Sequence, residues 1–208
     1  MNRDEASTSS TCGAAEPVAG NRLLAALMDR IECGVAACLA DGELLHANLA
    51  ARRELAETRT LRVEEGRLQC EAAWREDWIA ALRNAASRHR TSLVVLGTGE
   101  DRITVATMPL ALDLDGPPAI VVVMGRRSPC STLGMEMLAS SHGLTYAESR
   151  VLRALVDSRT PREIAATHGV AVATVRTQIQ SVRDKLGVRS IDALLLRAAE
   201  MPPLSARQ

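Results

Sequence analysis

Lysine is nearly missing from this 208-residue chain. Of its 25 basic residues, 24 are arginine and Lys185 is the single lysine. Leu186 follows it, so the G-K-[ST] turn of a phosphate-binding loop is excluded. A Schiff-base enzyme would have to use this one side chain. A receiver domain, which sets a lysine beside its phospho-acceptor aspartate, finds none N-terminal to residue 185. Phenylalanine is absent, and the aromatic set is Trp74, Trp78 and Tyr146. Three rings cannot build an aromatic cage or a stacking platform for single strands. The cysteines (Cys12, Cys33, Cys38, Cys70, Cys130) are odd in number and never spaced C-x-x-C. That argues against a disulfide framework or a zinc site and for reduced thiols. The opening MNRDEASTSSTCGAAEP has no apolar stretch of a signal peptide. The apolar run Ala119 to Met124 is too short to span a bilayer. The expectation is a soluble cytoplasmic protein without membrane contact, cofactor or metal.

The net charge is zero, but it is unevenly spread. Residues 143–208 hold ten basic against six acidic residues, and residues 1–142 hold fifteen against nineteen. A basic end on a neutral chain points to a nucleic-acid contact confined to that end.

Residues 1–20, small and polar, read as a disordered tail. Leu23, Leu24, Leu27, Met28 and Ile31 recur at helical spacing, so 21–33 reads as an amphipathic helix. Apolar stretches 34–40 and 43–47 flank Asp41-Gly42, the signal of a hairpin with a primed turn. Asn48 can cap a short helix over 49–57. Strands at 60–63 and 67–70 surround Glu64-Glu65-Gly66, and 72–88 reads as a helix with Trp74, Trp78, Leu82 and Ala85 on one stripe. Strand candidates 92–96, 102–110 and 119–124 close the region, the last one fully apolar and hence central in a sheet. This layout predicts an α+β domain with an antiparallel sheet. Its order, with the stretch Gly34 to Asn48, resembles the PAS fold. Trp74 and Trp78 are candidates for a ligand pocket, with plain core as the competing reading. Cys33, Cys38 and Cys70 read as buried, inert thiols. His46 and His89 could ligate haem in such a fold, but nothing around them marks a haem site, and the flavin motif of light-sensing PAS domains is absent.

The C-terminal third carries sharper signals. Thr145-Tyr146-Ala147-Glu148 and Thr160-Pro161-Arg162-Glu163 are capping boxes, the second with proline at the first helical position. A helix over about 172–186 buries Val175, Ile179, Val182 and Leu186 and presents Arg176, Thr177, Gln180 and Arg183. Gly187 ends it, and Ser190 caps a fourth helix. Short helix, glycine turn and longer polar-faced helix form a helix-turn-helix. Arginine can read guanine and glutamine adenine in the major groove. Leu144-Thr145-x-x-Glu148-x-x-Val151-Leu152, Glu163-Ile164-Ala165, Thr174-Val175-Arg176 and Lys185-Leu186-Gly187-Val188 resemble the LuxR-type DNA-binding domain over 144–199. The resemblance implies a four-helix domain, docking of the third helix in the major groove, and dimerisation. It also implies base contacts from Arg176, Thr177 and Gln180, and phosphate contacts from Thr160, Arg162, Thr174 and Lys185. Arg183, on the same helix, is added to the phosphate set. The sequence departs from the family at Ala171, where a serine cap is usual, and at Ser158, His168 and Gln178. The aromatic and acidic residues of an acyl-homoserine-lactone pocket are missing.

The expected fold is α+β: a PAS-like antiparallel sheet domain (21–127), a linker, helical in part (128–142), and an all-α four-helix LuxR-type domain (143–200), between tails 1–20 and 201–208. The expected function is a dimeric, sequence-specific transcriptional regulator on double-stranded DNA, its N-terminal domain sensing a signal or dimerising. RNA polymerase is a further partner open to such a protein, and no small-molecule ligand is identified. The alternative is a sigma-factor-like or partner-binding module acting through protein contacts. No nucleophile with base and orienter, no metal cluster and no phosphate loop supports an enzyme.

Overall fold

The computed structural model describes residues 17–110, 118–126 and 130–205. The expected disorder of 1–16 lies outside these residues, whereas 17–20 form the first turn of helix α1 (Pro17–Met28). This helix starts four residues before the sequence reading placed it and stops five residues earlier. Its end is set by tertiary bonds: Asn48 Nδ2 donates to Met28 O at 3.0 Å and Asp29 Oδ1 accepts from Leu49 N at 2.7 Å. The leucine stripe does not face a core. Leu23, Leu24 and Leu27 are more than half exposed.

Strands β1 (Gly34–Cys38), β2 (Leu44–Ala47), β5 (Ser92–Leu96), β6 (Ile103–Leu110) and β7 (Ala119–Met124) form one antiparallel sheet in the order β2-β1-β7-β6-β5. The apolar strand β7 is central, as expected of a run with no polar face. Strands β3 (Leu61–Glu64) and β4 (Arg67–Cys70) make a separate hairpin. Helices α2 (Leu49–Glu57) and α3 (Arg75–Arg88) cover one sheet face. The register puts Ala36 against Val122, Cys38 against Ile120 and Val105 against Met124, so these residues share that covered face. They form one core with Leu61, Trp78, Leu82 and Leu96. Thr107 is fully buried in the sheet and donates its hydroxyl to Ala81 O on α3 at 3.2 Å. The fold is the PAS-like α+β layout.

The first hairpin turn differs from the sequence reading, whereas the second falls at the expected Glu64-Glu65-Gly66. At Asp41-Gly42 only Gly42 has positive φ, and its N–H bonds back to Leu39 O. Leu39 N–H bonds to Glu43 O, so the loop has three residues, with the glycine in the left-handed place. The primed two-residue turn forms instead at Glu65 (φ 49°) and Gly66 (φ 76°), between the paired Glu64 and Arg67. The helix expected over 72–88 opens with a 3-10 turn at Ala72–Trp74, which leaves Trp74 half-buried while Trp78 is core.

A second core lies in the helical region, on α4 (Thr132–Ser141), α5 (Tyr146–Val156), α6 (Pro161–His168), α7 (Val172–Leu186) and α8 (Ile191–Ala199). Val151, Leu152, Ile164, Val175, Val182 and Leu194 are fully buried there. Helix α4 is more than a connector, because Met135 and Leu138 are buried in this same core.

Candidate nucleic-acid interface

Local sequence sets the helices that carry the candidate face. Thr145 Oγ1 accepts from Glu148 N at the start of α5, and Thr160 Oγ1 accepts from Glu163 N at the start of α6. Each glutamate returns to the threonine N–H at 2.7 Å, so both capping boxes are complete. The bonds from Thr160, backbone first and hydroxyl second, hold the Glu163 carboxyl below its usual range. Gly169 (φ 65°) ends α6, and only Val170 and Ala171 separate it from α7. Ala171 makes no side-chain cap bond, so the first-turn N–H groups of α7 have no side-chain partner at that position.

Helix α7 has 15 residues, a rod about 22 Å long. Val175, Ile179, Val182 and Leu186 lock one side into the second core, against α5 and α6. Arg176, Thr177 and Gln180 consequently lie together on the exposed side, with Thr174 one turn before Thr177 and Gln178. Arg176 has no hydrogen bond or ion pair among the described residues, so its fork of donors is open to solvent. Thr177 donates its hydroxyl to Ala173 O at 3.1 Å, which leaves its methyl and lone pairs outward. Gln180 is occupied at both ends: Nε2 donates to Asp184 Oδ1 at 2.8 Å and Oε1 accepts from Arg183 Nη1 at 3.2 Å. Sequence reasoning missed the role of Asp184, although a partner at i+4 on the same helix face was visible in principle. Gln178 is half-buried beside this face, its Oε1 without a partner.

The proposed phosphate contacts separate into two groups. Thr160, Arg162 and Thr174 are exposed, at or near the N-termini of α6 and α7. Thr160 already donates its hydroxyl to Glu163 Oε2 at 2.8 Å. Arg183 and Lys185 each make bonds within the protein. Arg183 is half-buried, bonding Gln180 and the Arg189 carbonyl. Lys185 donates to Glu148 Oε2 at 2.7 Å and to Gly143 O at 3.0 Å. Lys185, expected to meet a phosphate, here faces the buried Glu148 carboxylate with its charge. Glu148 is 7 % exposed, and its other oxygen accepts the Ser181 hydroxyl at 2.6 Å. Lys185, then Ser181 and the Thr145 N–H, hold the Glu148 carboxyl down at about 2. This network ties the start of α5 to the last two turns of α7. No local signal could have found it, since Glu148 and Lys185 are 37 positions apart.

Elsewhere, Trp78 lines a cleft of about 380 Å³ between α3 and β4, with Arg67, Cys70, Arg75 and Leu82. Trp74 packs against the core and is not on that cleft. Arg67 at its edge pairs with Asp41 at 3.0 Å. Burial pushes the Cys38 thiol up to about 12 and Cys70 to about 11, with nearby acidic charges adding, so neither is a ready nucleophile. Cys33 and Cys130 are also raised, chiefly by burial, and Cys12 lies outside the described residues. Among the described residues no three histidine, cysteine or acidic side chains gather as a metal site. None of their helices is long and apolar enough to cross a membrane.

The chain thus combines a PAS-like sheet unit with a helix-turn-helix unit that shows one polar helix face to solvent. No family model matches it, and no curated protein does. Among solved structures it is similar to a phage VqmA in complex with DPO, at 21 % identity and TM-score 0.40, over 89 % of this chain and 93 % of that one. It is also similar to VqmA of Vibrio cholera in a ligand–DNA complex, at 17 % identity and TM-score 0.40, over 92 % of both chains. A PAS domain of an HTR-like protein from Haloarcula marismortui matches at 16 % identity and TM-score 0.35, over 52 % of this chain and 92 % of that domain.

Proposed function

We propose that the protein is a sequence-specific DNA-binding transcriptional regulator. The observation that carries this reading is the α6–α7 pair. A three-residue link with left-handed Gly169 sets a 15-residue helix whose buried stripe leaves Arg176, Thr177 and Gln180 on one uncovered face. Such a face fits the major groove, and its residue types match base edges. Thr160, Arg162, Thr174 and the first-turn N–H groups of α7 would meet the backbone phosphates on either side. Arg183, whose Nη1 donates to Gln180 Oε1, would orient that amide toward a base. The protein acts as a homodimer on paired half-sites, and the PAS-like unit of residues 21–127 senses a signal or joins the copies. Residues 143–200 form the DNA-binding domain.

Purified protein incubated with sheared genomic DNA tests the reading, with Arg176→Ala alongside. A short inverted repeat enriched by the unmodified protein and lost with the variant is the expected result. Retention of no sequence above background, with residues 1–129 present or removed, would refute it in favour of a module acting through protein contacts.

A further inference from the structure

Residues 202–205 leave the helical unit and attach to the other one. Pro203 O accepts from Glu32 N at 2.8 Å, and Ser205 N donates to Arg30 O at 2.9 Å. The two bonds flank an antiparallel bridge between Ile31 and Leu204. Ser205 Oγ adds a bond to Asp29 O at 3.2 Å, and Leu204 N–H folds back to Pro202 O at 2.8 Å. Every described bond of this strap to the sheet unit goes to the stretch 29–32, between α1 and β1.

That stretch is held firmly on its own side. Asn48 is fully buried, and its amide donates to Met28 O at 3.0 Å and Cys33 O at 2.9 Å while its Oδ1 accepts from Val35 N at 2.9 Å. Cys33 Sγ bonds Met124 O at the end of central strand β7. The strap is equally anchored on the other side. Met201 packs on the second core, and its Cβ lies 3.0 Å from where a side chain at Gly134 of α4 would begin. Only two residues separate Met201 from the Pro203 carbonyl, a reach of at most about 7 Å. Proline at 202 and 203 fixes φ there and removes N–H groups that would otherwise need partners. Movement of one unit against the other by more than a few ångströms must therefore break the strap.

We propose that residues 202–205 are a clasp that couples the state of the sheet unit, at the α1–β1 junction, to the orientation of the helix-turn-helix. The clasp is a second link between the units, beside the continuity of the chain. A rearrangement of α1 or of the Asn48 cluster reaches α7 by opening or closing it. The consequence for DNA rests on the DNA-binding reading; the clasp itself does not.

The test compares the full chain with a chain ending at Met201 and with Ser205→Pro, which loses both donors of that residue. Amide hydrogen exchange at Glu32 should speed up by about tenfold in both, while Ala36, Val122 and Val175 keep their rates. Spin labels at the exposed positions Ser87 and Ala166 should give a narrow distance distribution in the full chain and a broad one without the clasp. Unchanged exchange at Glu32 overturns the proposal. So does equal acceleration of the core amides, because the strap would then be only one contributor to global stability. Equally broad distances in all three proteins overturn the coupling. Affinity for the enriched DNA should change at least about threefold on truncation. If no DNA is bound by any of the proteins, the regulator reading fails while the exchange and distance results still decide the clasp.

Discussion

Replacing Lys185 by methionine keeps the length of the stem and removes the charge that faces Glu148. The carboxylate is left 7 % exposed, with the Ser181 hydroxyl and the Thr145 N–H as its remaining partners. Its carboxyl, held at about 2 against an ordinary value of 4.5, is depressed by all partners together, which corresponds to about 3 kcal/mol at 1.36 kcal/mol for each pKa unit. Lysine is the largest cause, but its side chain is 33 % exposed and partly screened. The loss expected for Lys185→Met is then about 1–2 kcal/mol, below the full cost of stripping a fully buried pair. In a chain of this size that lowers the Tm by about 2–8 °C. Because the folded carboxyl is depressed, its contribution is fully present above pH 4.5 and is lost as the pH falls toward 2. Denaturant unfolding at neutral pH and near pH 3 should show the unmodified protein losing more stability across that window than the variant. Glu148→Gln preserves the capping geometry, and the double mutant should reveal a coupling of about 1–2 kcal/mol. A Lys185→Met protein that unfolds at the original temperature, with no coupling to Glu148, refutes the reasoning. A loss of non-specific DNA affinity together with a salt slope shallower by about one would return the lysine to the phosphates.

Arg176→Ala should cost about 1–3 kcal/mol on the selected DNA and much less on random DNA; equal losses in titrations of both would remove its role as a base reader. Ala171→Ser supplies the hydroxyl that α7 lacks at its N-cap and should stabilise the protein by about 0.5–2 kcal/mol. If that serine instead weakens DNA binding without changing the Tm, the free N–H groups serve phosphate. Ser158, exposed and at φ 60° after α5, sits in the left-handed region. Ser158→Gly should raise stability by about 0.5–1 kcal/mol in denaturant unfolding, and a decrease would show that the serine is not strained.

The C-terminal helices were legible because their signals are short in sequence. A capping box spans four residues, a buried stripe repeats every three or four, and a glycine stop acts where it stands. All of these appear at the expected positions from Thr145 to Ser190. The sheet was legible for the same reason, since β7 reads as central from six apolar residues alone. Errors arose where a local signal had two solutions. Asp41-Gly42 and Glu65-Gly66 both permit a primed turn, and the pairing of the flanking strands decides which one forms it. The leucines of α1 promised a buried face, but periodicity reports only that a face exists and not what covers it.

The candidate site divides along the same line. Composition and helical spacing find Arg176, Thr177 and Gln180 because an exposed face is defined by its opposite, the stripe of Val175, Ile179 and Val182. They do not reveal which polar residues on or near such a face are free. Of the two cations late in α7, Lys185 is drawn to a carboxylate on another helix and Arg183 to the loop that follows its own. Pairing of this kind depends on distance in space, to which sequence spacing is blind. Arg176 differs from both in having no recorded partner within the described chain, and an unpaired guanidinium costs least when it remains in water until an acceptor arrives. Among the candidates this is the strongest physical reason to propose contact with DNA for Arg176 ahead of Lys185.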